Sequence, residues 1–337
     1  MSPDRRGRIA ALDFNYASQP KQAVTACNLC GTQEFVVLSH RDRYGYPAQA
    51  HACRRCGLVF LNPRMTAESY GRFYNGTYRP LVSAFHGRLI DAQTIQDEQR
   101  EYAAERAEFI RSFMAKPGGR TMLDIGGSTG VVAHHFAREF GLNGTLIDPA
   151  PLELEQARRL GLETITGLVE EHHFGHRRFD VVIICQTVDH LLDVAGTLAR
   201  VRQLLSDSGL FFIDIVDFRA AYLRNWSVED AVKIDHPYYL TEPTMVAYLR
   251  SSGFEVLRSD YAADHLHVSY VCRPSTADAD VMPASASVDE LLREVRLVQN
   301  TGGPDPSTLR PAPGRPEPGG GATRSGSPRA SSRGDRS

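Results

Sequence analysis

Residues 120–150 read RTMLDIGGSTGVVAHHFAREFGLNGTLIDPA. Met122, Leu123 and Ile125 make a short apolar strand around Asp124 that runs into a glycine-rich turn, Gly126-Gly127-Ser128-Thr129-Gly130. A helix is expected from about Val131 to Phe140, and a second strand from Thr145 to Asp148. Glycine lets the backbone turn tightly and approach a ligand closely. The helix that follows turns its free N–H groups toward whatever the turn holds. An acid about 20 residues beyond the turn, at the tip of the second strand, is where a ribose diol is usually held. The stretch is therefore read as a nucleoside-cofactor site in a βαβ unit.

The surrounding chain repeats the pattern. Residues 179–185, FDVVIIC, form a continuous apolar run typical of a parallel strand buried on both faces. Gln186-Thr187-Val188-Asp189-His190 follows it, and a helix starts near Asp193, a plausible N-cap. Asp207-Ser208-Gly209 is expected to be a turn before the next strand, Leu210 to Val216. An insertion from Asp217 to His236 then breaks the alternation. Thr241-Glu242-Pro243 opens a further helix, with two closing strands at Phe254–Leu257 and His267–Cys272.

Upstream stand two close cysteine pairs, Cys27-Asn28-Leu29-Cys30-Gly31 and Cys53-Arg54-Arg55-Cys56-Gly57, with 22 residues between Cys30 and Cys53. Two such knuckles bring four thiolates to one ion, the closed tetrahedral set of a structural zinc site. Residues 27–62 are thus expected to be a zinc ribbon. His40 and His51 are possible substitute ligands, with exposed loop histidines the plainer reading. Residues 1–26 look like a flexible arm. Residues 63–118 form an aromatic and helical connector (Tyr70, Phe73, Tyr74, Tyr78, Phe85) that either packs the ribbon or caps the cofactor, with Tyr78 the choice for the latter.

Beyond residue 273 the composition shifts. Residues 288–299 carry one short amphipathic helix, and 301–337 are too rich in Gly, Pro, Ser and Arg to bury a core. A net charge of −2 over 337 residues gives no footprint for nucleic acid, and no apolar run reaches the length of a membrane span. The N-terminus lacks the apolar stretch of a secretory signal. A cytoplasmic protein is the default expectation.

Taken together, LDIGGSTG, Asp148 ending LID, FDVVIICQTVDHLLDV, GLFFIDIV, HPYYLT and GFEV resemble the class I S-adenosylmethionine (SAM) methyltransferases over about 119–273. Ser128 stands where the family's glycine motif usually has a glycine, and Asp189 replaces the usual glutamate of its fourth motif. The ribbon ending CGLVFLNPR resembles a subgroup that methylates sugars, polysaccharides and natural products. The resemblance implies an α/β fold with a Rossmann-like, doubly wound, mostly parallel seven-stranded sheet. It implies SAM contacts from Asp124, Gly126, Gly127, Ser128, Gly130, Asp148, Pro149 and Gln186. The expected reaction is methylation of a small acceptor, a hydroxyl of a sugar or related metabolite. A sugar C-methyltransferase, an RNA methyltransferase with a zinc module, and a non-catalytic scaffold are the alternatives. His236 and His190 are the candidate bases, since imidazole titrates near the right pH. A hydrogen-bonded loop histidine is the bland alternative for His236, and a residue shaping the cofactor pocket for His190. The other histidines between 134 and 176 are expected to be solvated, and Cys185 to lie in the core.

Overall fold

In the computed structural model, residues 2–114, 120–276 and 285–301 are described, all within one compact unit. Apolar runs long enough for strands, separated by amphipathic helices, collapse into a single seven-stranded sheet. Its spatial order is Phe254–Tyr261, His267–Pro274, Leu205–Val216, Phe179–Ile184, Arg120–Ile125, Leu142–Asp148 and Glu163–Thr166. The five strands from Leu205–Val216 to Glu163–Thr166 run parallel, while His267–Pro274 is antiparallel to both of its neighbours. The chain order reverses beside Arg120–Ile125, and the crevice at that switch point is where open α/β sheets bind ligands.

Side chains on these strands alternate between two cores, as a period of two requires. Met122, Val181, Ile183 and Phe212 face one side, against Ala103, Ala107 and Ile110 of the helix Ala92–Ile110 and Val132, Phe136 and Phe140 of Val131–Phe140. Leu123, Val182, Ile184 and Phe211 face the other, against Leu198 and Val201 of Val194–Leu204 and Met245 and Tyr248 of Glu242–Ser251. Ribbon residues Cys27, Cys53, Cys56, Leu58 and Phe60 share that second core. A third core joins the ribbon's other face to the connector, the insertion and the C-terminal helix Ser285–Thr301.

Several expectations are corrected. The N-terminal segment is no loose arm: Pro3–Ala10 is a helix capped by Ser2, Tyr16 is fully buried, and Lys21–Gln22 pairs with Arg64–Met65. Its few apolar residues find partners on the distant connector. Asp207-Ser208-Gly209 is no turn either. It lies within the strand Leu205–Val216 as a register irregularity against Phe179–Ile184. His51 is a half-buried strand residue stacked on Phe60, not a loop histidine. Tyr238–Tyr239 adds a fourth strand to the ribbon sheet, in the order Tyr238–Tyr239, Val59–Leu61, Ala50–Cys53, Phe35–Ser39. The connector's helix Ala92–Ile110 also buries a charge, Arg106. The polar tail expected after residue 301 lies outside the described residues.

Candidate active site

The glycine turn sits where the sequence places it, and its neighbours show why it is glycine. A Cβ on Gly126 (φ +72°) would lie 2.3 Å from the Thr187 methyl, and one on Gly127 would lie 2.1 Å from Asp124 Oδ2. Asp124 is fully buried beneath the turn, and neither of its carboxylate oxygens has a hydrogen-bond partner. Burial, followed by the nearby Asp148, pushes its carboxyl up to about 8. An unpaired buried carboxylate is costly, which makes this a place where a positively charged ligand is favoured.

Asp148 ends the second strand and accepts from the backbone N–H of Ser128 (3.0 Å) and of Ala150 (2.8 Å). Burial raises its carboxyl despite those two donors. Pro149 beside it is exposed. Ser128 Oγ donates to Glu153 (3.0 Å), and Glu153 in turn pairs with Arg79 at 2.5 Å. Arg79 comes from the connector helix Tyr78–His86, so the connector is latched to the turn. The opposite wall is the loop after the central strand. Gln186 adopts φ +50°, its N–H donates to Asp214 (2.8 Å), and its side chain meets His267 Nε2 at 3.2 Å. Asp214 is itself held by the buried Arg106 and by Tyr102. Thr187 Oγ1 donates to the Gly126 carbonyl at 3.1 Å and so ties loop to turn.

The two candidate histidines stand together, with ring centres 4.5 Å apart, but their surroundings differ. His190 Nδ1 lies 2.8 Å from Tyr74 Oη and 3.1 Å from the Asp235 carbonyl, and Tyr74 donates its own proton to that carbonyl. Both partners of Nδ1 are therefore acceptors, which fixes the proton there. Burial, then His236, pulls His190 down to about 4. His236 is buried, with Nδ1 2.7 Å from Asp189 Oδ2. Burial alone would raise the Asp189 carboxyl, but His236, His190 and Lys233 together hold it well below the usual carboxylate range. A carboxylate on Nδ1 leaves Nε2 with the lone pair, the orientation of a general base. That nitrogen lies 3.3 Å from both the Asp235 carboxylate and the Lys233 ammonium, a lysine whose pKa burial lowers.

Asp189 and His236 line a cavity of about 280 Å³ with Arg43, Lys233, Tyr239 and His267. Through His267 it adjoins Gln186. Asp189, His190 and His236 also bring one ligand atom each within 4.8 Å of one another. The Lys233 ammonium already supplies a positive charge at that point. Tyr78 lies close to this group, its ring centre 6.4 Å from that of His190. Sequence reasoning missed Asp189, Lys233 and Asp235 as site residues, and it placed Tyr74 only in the connector. Asp189 carried a signal, an acid one residue before a candidate histidine, but its partner lies 47 positions away.

The four cysteines also converge. Cys27 and Cys56 sulfurs are 3.5 Å apart, Cys30 and Cys53 3.4 Å, and all four lie within 4.8 Å of one another. Zinc–sulfur bonds of about 2.3 Å in a tetrahedron require sulfurs about 3.8 Å apart. The hydrogen bond to the Cys53 sulfur, together with burial, pushes the Cys27 thiol up to about 12 against the opposing contact with Cys56. Among the described residues no helix is long and apolar enough to cross a membrane.

Residues 96–259 match the family described as Methyltransferase domain. The C-methyltransferase NovU of Streptomyces niveus is 26% identical over 296 residues, 81% of this chain and 66% of that protein. A ubiquinone biosynthesis O-methyltransferase of Methylocella silvestris is 34% identical over 100 residues, covering 28% of this chain and 39% of that one. The chain thus spans only part of the length of these relatives. Among solved structures, the CcbJ methyltransferase of Streptomyces caelestis aligns with a TM-score of 0.42 at 17% identity, over 52% of this chain and 90% of that one. The glycine turn at the switch point of the seven-stranded sheet lies within these matched residues, which form a SAM-dependent methyltransferase domain.

Proposed function

We propose that the protein transfers a methyl group from SAM to a small polar acceptor, a hydroxyl of a sugar or related metabolite, with His236 as the general base. One observation carries the assignment: His236 Nδ1 is held by Asp189 at 2.7 Å on the wall of a cavity that adjoins the cofactor loop. When bound, SAM supplies a methyl on a positively charged sulfur. Residues Asp124, Gly126, Gly127, Ser128 and Gly130 suit that ligand, with an unpartnered carboxylate under a turn open to close approach. Asp148 keeps lone pairs for a ribose diol beside its two backbone donors, with Pro149 next to it; Gln186 stands on the opposite wall, and Tyr78, beside His190, is the connector aromatic assigned to the cofactor.

His236 Nε2 accepts the proton of the acceptor hydroxyl. The oxygen's electron pair forms the new bond to the methyl carbon, and the carbon–sulfur bond breaks with its electrons left on sulfur. Asp189 stabilises the resulting imidazolium, and the Lys233 ammonium stabilises charge on the acceptor oxygen. His190, held near neutrality by its pKa of about 4, packs against His236 and shapes the pocket.

A second reading, methyl transfer to carbon, is favoured by the NovU match, which extends well beyond the sheet domain. A carbon acid beside a carbonyl needs the same base. Four converging thiols support a structural zinc, and thiols kept for a metal suit a reducing, cytoplasmic setting.

The test is a screen of sugar and nucleotide-sugar acceptors with SAM carrying a ¹³C methyl, read by the carbon shift of the product, which separates oxygen from carbon methylation. His236→Ala should lower kcat by about 10²–10⁴-fold with SAM affinity intact. Undiminished transfer by that variant, or calorimetry showing no SAM binding, overturns the assignment.

A further inference from the structure

Both halves of the Asp189–His236 pair are fastened to the cysteine ribbon, and through different contacts. On the Asp189 side, the turn Val188–His190 leads into the helix Val194–Leu204, whose N-cap Asp193 accepts from Gly196 N–H (2.9 Å). The same Asp193 oxygen accepts from the side-chain amide of Asn28 at 2.8 Å. Asn28 Oδ1 in turn accepts from Ala195 N–H (3.0 Å) and Tyr248 Oη (2.9 Å). Asn28 stands inside the first knuckle, between Cys27 and Cys30. The carbonyl of Leu192, three residues past Asp189, also accepts from Arg64 (2.8 Å) and Tyr238 (3.1 Å).

On the His236 side, the next residue, Pro237, gives its carbonyl to Leu61 N–H at 3.0 Å. Tyr238 and Tyr239 then pair antiparallel with Phe60 and Val59, three residues beyond Cys56. The two partners thus come from segments far apart in the chain; Tyr74 of the connector bridges His190 to the Asp235 carbonyl on one side, and the ribbon holds both segments on the other.

We infer that the cysteine ribbon is the mount that holds the acid–base pair in register, and that Asn28 is its positioning residue. The inference rests on the assignment of Asp189–His236 as the working pair, and it gives the bound metal a second consequence besides folding. An ion that clamps Cys27 to Cys56 fixes where Asn28 and Val59 stand. Those two positions set Asp193 and Tyr238, and so the distance between Asp189 and His236. Misplacing a catalytic group by about 1 Å can cost on the order of 10²-fold in rate. The arrangement is therefore sensitive to small shifts of the ribbon.

The experiment uses the full chain, loaded with zinc and saturated with S-adenosylhomocysteine, with ¹⁵N-labelled histidine. The imidazole Nδ1–H held by Asp189 should appear as a low-field proton resonance, assigned by its loss in His236→Gln. Asn28→Asp sets a carboxylate against Asp193 and should abolish or strongly shift that resonance, with zinc content and cofactor affinity retained. The double variant Asn28→Asp/Asp193→Asn removes the carboxylate–carboxylate repulsion, sets an amide against a carboxylate again and should bring the resonance back toward its parent position. An unmoved resonance in Asn28→Asp overturns the mount while leaving the base assignment standing. A double variant whose resonance is no nearer the parent position than that of Asn28→Asp also overturns it. Absence of the resonance from the unaltered protein overturns the base assignment itself.

Discussion

Gly126→Ala tests the cofactor turn through a quantity that the structure supplies. Gly126 holds φ +72°, and an alanine in that left-handed conformation costs about 1–2 kcal/mol relative to glycine. The new methyl would also stand 2.3 Å from Thr187 Cγ2, where carbon atoms in contact normally lie about 3.5–4.0 Å apart. Thr187 must therefore withdraw by more than an ångström, which breaks its 3.1 Å hydrogen bond to the Gly126 carbonyl, worth about 1 kcal/mol. The sum is a loss of about 2–4 kcal/mol. The free protein can relieve part of it by letting Gln186 and Thr187 swing away from the turn, and SAM then has to draw them back. Stability measured by urea unfolding should fall, and SAM affinity measured by calorimetry should weaken by about tenfold or more. Thr187→Ser separates the two components, because it keeps the hydroxyl and deletes the offending methyl. In that background Gly126→Ala should retain its backbone cost and lose most of the steric one, a coupling of about 1 kcal/mol or more in a double-mutant cycle. A cycle with no coupling, or unchanged SAM affinity in Gly126→Ala, would refute the placement of this turn against the Gln186 loop as the cofactor wall.

Two further expectations concern buried charge and metal. Asp124, with a folded-state value of about 8 against 3.8 for the free carboxyl, binds its proton more tightly folded than unfolded. Its contribution to apo stability is therefore complete below about pH 4 and declines as pH rises toward 8. Asp42, also pushed up to about 8 by burial and Asp235, acts in the same window, so the informative quantity is the difference between Asp124→Asn and the parent. The variant should unfold less readily than the parent near pH 7–8 without ligand and bind SAM poorly; a parallel pH dependence in the two would remove Asp124 as its source. For the ribbon, elemental analysis of reduced protein should give about one zinc per chain, and Cys53→Ser should lose the metal together with thermal stability. Metal-free parent protein of full stability would exclude a structural ion.

What was legible in the chain was whatever is settled between near neighbours. The glycine turn is one case, because Gly126 and Gly127 answer to a strand end and a loop that any βαβ unit brings together. The two C-x-x-C knuckles are another, since each pair is formed by its own tight turn and only the meeting of pairs is long-range. The strand Phe179–Ile184 announced itself by being apolar at every core position. The missed features share a different property, in that their physical cause is a partner far off in sequence. The N-terminal segment looks polar, yet Ile9 and Tyr16 are buried once the connector is in place. His190 and His236 could not be ranked from composition, because the difference between them is whether Tyr74 and a carbonyl or a carboxylate holds Nδ1. Asp189 invited reading as a conservative exchange at a motif position, but its significance comes from His236, which ends the insertion just before Tyr238–Tyr239, the edge strand that the ribbon captures. The cofactor half of the site is thus written locally and the acceptor half is written across segments. That division follows from the chemistry, since every member of the family must hold the same nucleoside while each must shape its own cavity.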